Sequence, residues 1–200
     1  MSQKIVLASS NHGKLKELAE LIADFDFQIM TQSEFGVEPA AETALTFVEN
    51  ALIKARHACE RTGLPSISDD SGLVVAALNG QPGVYSARFA GEHSNDKKNI
   101  ELLLHELVEV PNEERNAYFV SVCVFMRTKD DPSPIVTQGT WHGKILLAPI
   151  GEHGFGYDPV FYVPTHHCSA AQLDPDLKNQ ISHRGLAMHA LRTELERCYR

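Results

Sequence analysis

Alternation between two kinds of segment over the first 75 residues restricts the fold more than any other feature of this 200-residue chain. A short apolar run from Ile5 to Ala8 leads into a stretch where Leu15, Leu18, Ala19 and Ile22 recur at helical spacing. FQIM is a second apolar run. Helical spacing then returns, with Phe47, Ala51, Ala55 and Ala58 along one face of a helix from about Thr46 to Arg61. Thr46 and Glu49 form a capping box at its start, and Gly63 and Pro65 stop it. LPSIS is a third apolar run, ending at Asp69. Strand, helix, strand, helix, strand predicts a partly parallel α/β sheet, because parallel neighbours need a crossover connection. Functional groups in such sheets gather beyond the carboxyl ends of the strands.

Beyond the aspartates, LVVAAL, the turn NGQPG and VYSARFAG predict a strand or short helix followed by an irregular loop. A helix is expected from Asn99 to Val108. AYFVSVCVFMRT and PSPIVTQGTWHGKILLAP alternate as strands of a hairpin across KDDPSP. The expectation is a single domain over residues 1–200 with a smaller lobe inserted at roughly residues 75–150. GEHGFGYDP is a glycine-rich loop before the strand VFYVP. The last helix should run from about His183 to Cys198, capped by Ser182, with Leu186, Ala190, Leu191, Leu195 and Cys198 on its buried face.

Composition narrows the function classes. With 26 acidic against 18 basic residues and a net charge of −8, no broad basic surface is available for a nucleic-acid backbone. No apolar run approaches the ~20 residues that cross a bilayer, so no membrane partner is expected. Cys59, Cys123, Cys168 and Cys198 are widely spaced and form no C-x-x-C pair, which reads as reduced thiols in a cytosolic protein. His166-His167-Cys168 reads as polar loop, since a structural zinc site draws its ligands from spaced pairs.

Two segments carry the chemistry. In SISDDSGLVV, Asp69 and Asp70 stand side by side at the end of a strand. Alternation would send them to opposite faces unless the chain turns at Asp-Asp-Ser-Gly, and such a turn reads either as an ordinary cluster of turn formers or as a metal and proton-transfer site at a strand end. In SSNHGK, Ser9, Ser10, Asn11, His12 and Gly13 lead to Lys14 at a helix start, where free amides and positive charge suit phosphate, although the segment by itself reads first as an ordinary capped helix with a surface lysine. It is not a Walker A loop, because Ala8 replaces its first glycine and Leu15 its magnesium-binding hydroxyl. Glu42, the run Phe155-Gly156-Tyr157-Asp158, Lys178 and His183-Arg184 also sit at element boundaries. The last pair places cations at a helix start, against the dipole, which points to an anion or ligand there.

Six motifs in order, SSN-x-GK, ET-x-x-TF-x-EN, DDSGL, PG-x-YSARF-x-G, GFGYDP-x-F and K-x-x-ISHRG, span nearly the whole chain. Together they closely resemble the non-canonical purine nucleoside triphosphate pyrophosphatases, the inosine/xanthosine triphosphate pyrophosphatase family. The resemblance implies an elongated α/β fold with a central mixed sheet, a nucleotide cleft between two lobes, a homodimer and dependence on Mg²⁺. It implies hydrolysis of ITP, dITP or XTP to the monophosphate and pyrophosphate. Asp70 matches the catalytic proton acceptor and a metal ligand, and Glu42 falls at or beside the acidic metal position; with these roles the turn at Asp69 to Ser71 would bring both carboxylates and the hydroxyl together on a metal, Asp69 positioning it or bracing the loop. Ser9 to Lys14 match the phosphate loop. Ser71, Phe155, Gly156, Tyr157, Asp158 and Lys178 match substrate contacts, and His183 and Arg184 contact the base. Ala41, where an acid often precedes Glu42, and Ser9, where Thr is common, depart from the pattern. Gln172, in place of a usual Glu, falls at an expected surface position. The rival classes are a pyrophosphatase of modified pyrimidine nucleotides and a non-catalytic nucleotide-binding regulator. The water-activating Asp70 counts against the second.

Overall fold

The computed structural model describes residues 2–9, 18–92 and 95–199. Seven strands form one mixed sheet: β1 (Gln3–Leu7), β2 (Phe27–Thr31), β3 (Ser66–Val75), β4 (Asn116–Met126), β5 (Ile135–Ile145), β6 (Phe161–Val163) and β7 (Cys168–Ser169). Their order is β2-β1-β3-β4-β5-β6-β7. β1 runs parallel to both β2 and β3, as the alternating first segment predicts. β5 and β6 pair antiparallel, as do β6 and β7, and β4 and β5, the expected hairpin, are neighbours in the sheet. The flanking helices are α1 (Phe47–Thr62), α2 (Asp96–Glu106), α3 (Pro175–Ile181) and α4 (His183–Tyr199). Short 3₁₀ turns at Ala76–Leu78 and Gly83–Arg88 occupy the expected irregular stretch.

Two compact units divide the chain: residues 1–70, 121–139 and 187–200 in the first, and residues 71–120 and 140–186 in the second. In the first unit, β4 shows how helices come to lie on both sheet faces. Val122, Val124 and Met126 join the cluster of Ala51, Ala55 and Cys59 from α1. Cys123 and Phe125, pointing the other way, join Ala187, Met188, Leu191 and Leu195 of α4. The second unit has its own core, in which Phe119, Trp141, Phe161 and Tyr157 meet Leu103 and Leu107.

α1 fits its prediction closely. The Thr46 side chain caps it by accepting from the Glu49 amide, and Gly63 ends it at φ 69°, a left-handed conformation open to glycine. Glu49 returns its carboxylate to the Thr46 hydroxyl, 2.5 Å away, so the capping box is completed through side chains. The alanines on its inner face are fully buried, and they let β3 approach closely enough for Ser66 and Ser68 to donate to the Ala55 and Ala51 carbonyls at 2.8 and 2.6 Å.

Three expectations need correction. The chain does not turn at Asp69 to Ser71; β3 continues through them to Val75. The buried face of the last helix is Ala187, Met188, Leu191 and Leu195, while Leu186 and Cys198 are exposed. Leu191 and Leu195 are buried as expected, and the sheet and β5, including the Thr137 hydroxyl on the Ala187 carbonyl at 2.9 Å, bury Ala187 and Met188 in place of Leu186. Near the N-terminus Leu18 and Ile22 are buried as expected, Ala19 is exposed, and Leu15 lies outside the described residues.

Candidate active site

β3 is a strand with one face given to α1. Ser66, Ser68 and Asp70 alternate onto that face, and the two serines fix its register against the helix. Asp70 is thereby delivered to Lys54, one turn along α1 from the buried Asn50. Lys54 Nζ donates to Asp70 Oδ1 at 2.8 Å and to Glu42 Oε1 at 2.9 Å. Asn50 holds the loop that carries Glu42, its side chain accepting from the Ala44 amide at 3.0 Å and donating to the Ala44 carbonyl at 3.4 Å. Asp69 alternates to the other face and is also buried. The turn that was to gather both aspartates is thus replaced by a straight strand and a lysine.

The electrostatics follow from one cation among several anions. Burial alone would lower the Lys54 pKa, but Asp70 and then Glu42 offset this and hold the ammonium above the ordinary lysine value. Burial raises the Asp70 pKa. Lys54 pulls it back only in part, because Glu42 and Asp69 add negative charge, and the carboxyl ends above the ordinary aspartate range. Asp70 therefore binds a proton more readily than a surface aspartate while remaining oriented by a permanent cation.

Among the described residues no group of three or more histidine, cysteine, aspartate or glutamate side chains is already gathered as a metal cage. The donor chemistry nevertheless fits Mg²⁺. Both carboxylates on Lys54 offer hard oxygen ligands to a shared cation, and Mg²⁺ is commonly held by one or two carboxylates, with waters and substrate phosphates completing its shell.

A second group of expected residues comes together within the second unit. In the loop 154–158 the Phe155 amide donates to Asp158 Oδ2 at 2.8 Å, and Lys178 forms an ion pair with the same oxygen. The Lys178 ammonium also lies 4.9 Å from the centre of the Phe155 ring, which is 66% exposed. Tyr157 points inward instead. It is 4% exposed, its hydroxyl donates to the Ser86 carbonyl at 2.8 Å, and burial raises its pKa. What Tyr157 visibly does is anchor the loop.

His183 opens α4 stacked on Phe119, with ring centres 4.6 Å apart and planes inclined by 11°, and Trp141 continues the aromatic wall. Ser182 caps the helix as expected, its hydroxyl accepting from the Gly185 amide at 3.3 Å. Gly185 is required by close approach, because a Cβ there would stand 1.8 Å from the Asn179 carbonyl oxygen at the end of α3. Ser9 and Ser71 are half-buried at the end of β1 and within β3. Ser10, Asn11, His12, Gly13 and Lys14 lie outside the described residues.

Lys54 escaped sequence reasoning. Its signal was present: Phe47, Asn50, Ala51, Lys54, Ala55 and Ala58 form one helical stripe, and a lysine inside an alanine stripe must find an anion.

Known proteins resemble this chain over nearly its whole length. The Ham1 family model matches residues 5–194. The dITP/XTP pyrophosphatase of Vibrio cholerae is 56% identical over 194 residues, covering 97% of each chain. That of Haemophilus influenzae is 53% identical, covering 98% of this chain and all of the relative. The solved structure of a HAM1 protein from Coxiella burnetii superposes with a TM-score of 0.95 at 49% identity, covering 98% of this chain and 99% of the other.

Proposed function

The chain belongs to the Ham1 family, and on that premise we propose that it hydrolyses the purine nucleoside triphosphates ITP, dITP and XTP to the monophosphate and pyrophosphate. The observation that carries this reading is the buried Asp70, held by Lys54 beside Glu42 in a chain similar throughout its length to dITP/XTP pyrophosphatases. Asp70 takes the proton of the attacking water. Its raised proton affinity suits a general base better than an ordinary aspartate, and Lys54 keeps the accepting oxygen aimed. Glu42 and Asp70 would hold Mg²⁺, with Asp69 as a bracing residue from the opposite face. When bound, Mg²⁺ neutralises phosphate oxygens and acidifies water.

Ser9 to Lys14 supply phosphate contacts in this proposal, and Ser71, Phe155 to Asp158 and Lys178 contact the nucleotide. His183 and Arg184 read the 6-oxo group of hypoxanthine and xanthine. ATP, with a 6-amino donor at that place, would leave donors facing donors, and sites built on buried hydrogen bonds reject such analogues by up to ~10⁴. GTP shares the oxo group and is excluded less strongly, through desolvation of its 2-amino group. The resemblance also supports a homodimer in the cytosol, and light scattering at twice the monomer mass tests the first part. Incubation with a panel of purine and pyrimidine triphosphates in Mg²⁺ tests the reaction. Pyrophosphate with the monophosphate of ITP, dITP and XTP is expected; orthophosphate with a diphosphate, or a pyrimidine preference, overturns the reading.

A further inference from the structure

The loop 154–158 exposes one large apolar group, Phe155, under one ammonium, Lys178, and a platform of this kind is useful only if its backbone cannot turn away. Its neighbours explain how it is held. The Phe155 amide goes to Asp158 inside the loop. Gly154 lets the Asp158 carboxylate lie against the backbone, since a Cβ there would stand 2.1 Å from Asp158 Oδ2. Tyr157 fastens the inner side through its hydroxyl to the Ser86 carbonyl, and the Ser86 hydroxyl in turn accepts from the Leu73 amide at 2.9 Å.

Inside the loop the Asp158 amide also donates to the Phe155 carbonyl at 3.3 Å, which leaves the other end of the Phe155-Gly156 peptide, the Gly156 amide, to be held from elsewhere. The Gly156 amide donates to Asp96 Oδ2 at 2.6 Å, across 60 residues of sequence. Gly156 adopts φ +59°, a left-handed conformation in which an added Cβ would meet nothing within 4 Å, so packing at Gly156 does not set the direction of its amide. Asp96 does, and it is itself well placed to do so. It is the first residue of α2, where Asn95 caps the helix by accepting from the Lys98 amide and where a carboxylate is favoured by the helix dipole. A negatively charged acceptor on a backbone amide is also among the stronger hydrogen bonds available.

We propose that Asp96 is a positioning residue for nucleotide binding: its carboxylate locks the Gly156 peptide and so holds the Phe155 ring and Lys178 as one preformed face for the nucleotide. It touches no substrate in this account and acts through Gly156. The inference rests on the proposed pyrophosphatase reading. Its consequence is kinetic and specific. Loss of the carboxylate leaves the peptide held at its carbonyl alone, the loosened face must be reordered by the substrate, and the cost falls on substrate capture and not on the chemistry at Asp70.

The test compares the full chain with Asp96→Ala and Asp96→Asn, using ITP and Mg²⁺ and following pyrophosphate release. Asp96→Ala should raise KM about three- to tenfold with kcat within about twofold. Asp96→Asn keeps an oxygen acceptor at the same place and should recover most of the loss. Amide exchange at Gly156, measured without nucleotide, should quicken in Asp96→Ala and stay slow in Asp96→Asn. A purely helix-capping role predicts instead a lowered Tm with an unchanged KM, and that result overturns the proposal, as does an Asn variant as impaired as the Ala variant. If the parent releases no pyrophosphate from any purine triphosphate, the reading of function fails. If the parent turns over and Asp96→Ala keeps its KM, the positioning role alone fails.

Discussion

Lys54 decides how the carboxylates around it behave, because removing one cation from a buried cluster of anions changes every proton affinity in it. Lys54→Met should lower turnover by about 10²-fold or more. It should also move the acid limb of the pH-rate profile to higher pH. The sign follows from Asp70 working as its deprotonated form: burial already raises its pKa, and loss of the Lys54 charge removes what opposes that rise. Asp70→Asn should fall by a similar ~10² or more, and here the acid limb should disappear, since no titrating base remains. A Lys54→Met profile superimposable on the parent's would show that the lysine does not tune the base. Asp70 itself was legible in the sequence, as an acid beside an acid at a strand end. The stripe of α1 showed that Lys54 needs an anion but not which one, because sequence neighbours do not report that a helix sixteen residues earlier presents its one lysine to that strand.

Elements account for both the successes and the misses of the sequence reading. α1 was legible because periodicity, cap and stop all agree within one segment. The path of β3 through Asp-Asp-Ser-Gly was not, since turn-forming residues were overridden by tertiary pairing: Ser66 and Ser68 are sewn to α1, and the Leu73 amide is bonded to Ser86. α3, with seven residues, is too short to show a helical period and went unseen. Its end nonetheless sets the start of α4, and Gly185→Ala should cost roughly 2 kcal/mol or more through the clash with the Asn179 carbonyl, read as a lowered Tm. The β4–β5 connection carries a second test. Arg127 hydrogen bonds hold the Asp131 pKa down to about 2, and both partners can be named by distance, 2.9 Å from Arg127 Nη2 to Asp131 Oδ1. A depressed carboxylate stabilises the fold above its ordinary pKa near ~4, and that stabilisation is lost as pH falls towards 2. Because Arg127 is 44% exposed, the contribution is about 1 kcal/mol. Asp131→Asn should lower stability at neutral pH by that amount and flatten the decline between pH ~4 and ~2, as chemical denaturation would register.

At the scale of the whole molecule, the parallel first half and antiparallel extension follow from segment order, and six motifs spread over the chain foretold the family. Order and spacing survive as sequence information, whereas side-chain faces depend on what packs against them, which is why the buried stripe of α4 was read correctly at Leu191 and Leu195 but not at Leu186 and Cys198. The net charge of −8 leaves no broad basic surface for a nucleic-acid backbone, and among the described residues no helix is long and apolar enough to cross a membrane. The central claim is that water activated by Asp70 attacks the α-phosphorus and leaves the β–γ unit whole. Turnover of ITP in ¹⁸O-labelled water, with both products read by mass spectrometry, tests it most directly. The account predicts one ¹⁸O in the inosine monophosphate and none in the pyrophosphate; label in the pyrophosphate, or labelled orthophosphate beside a diphosphate, would contradict it.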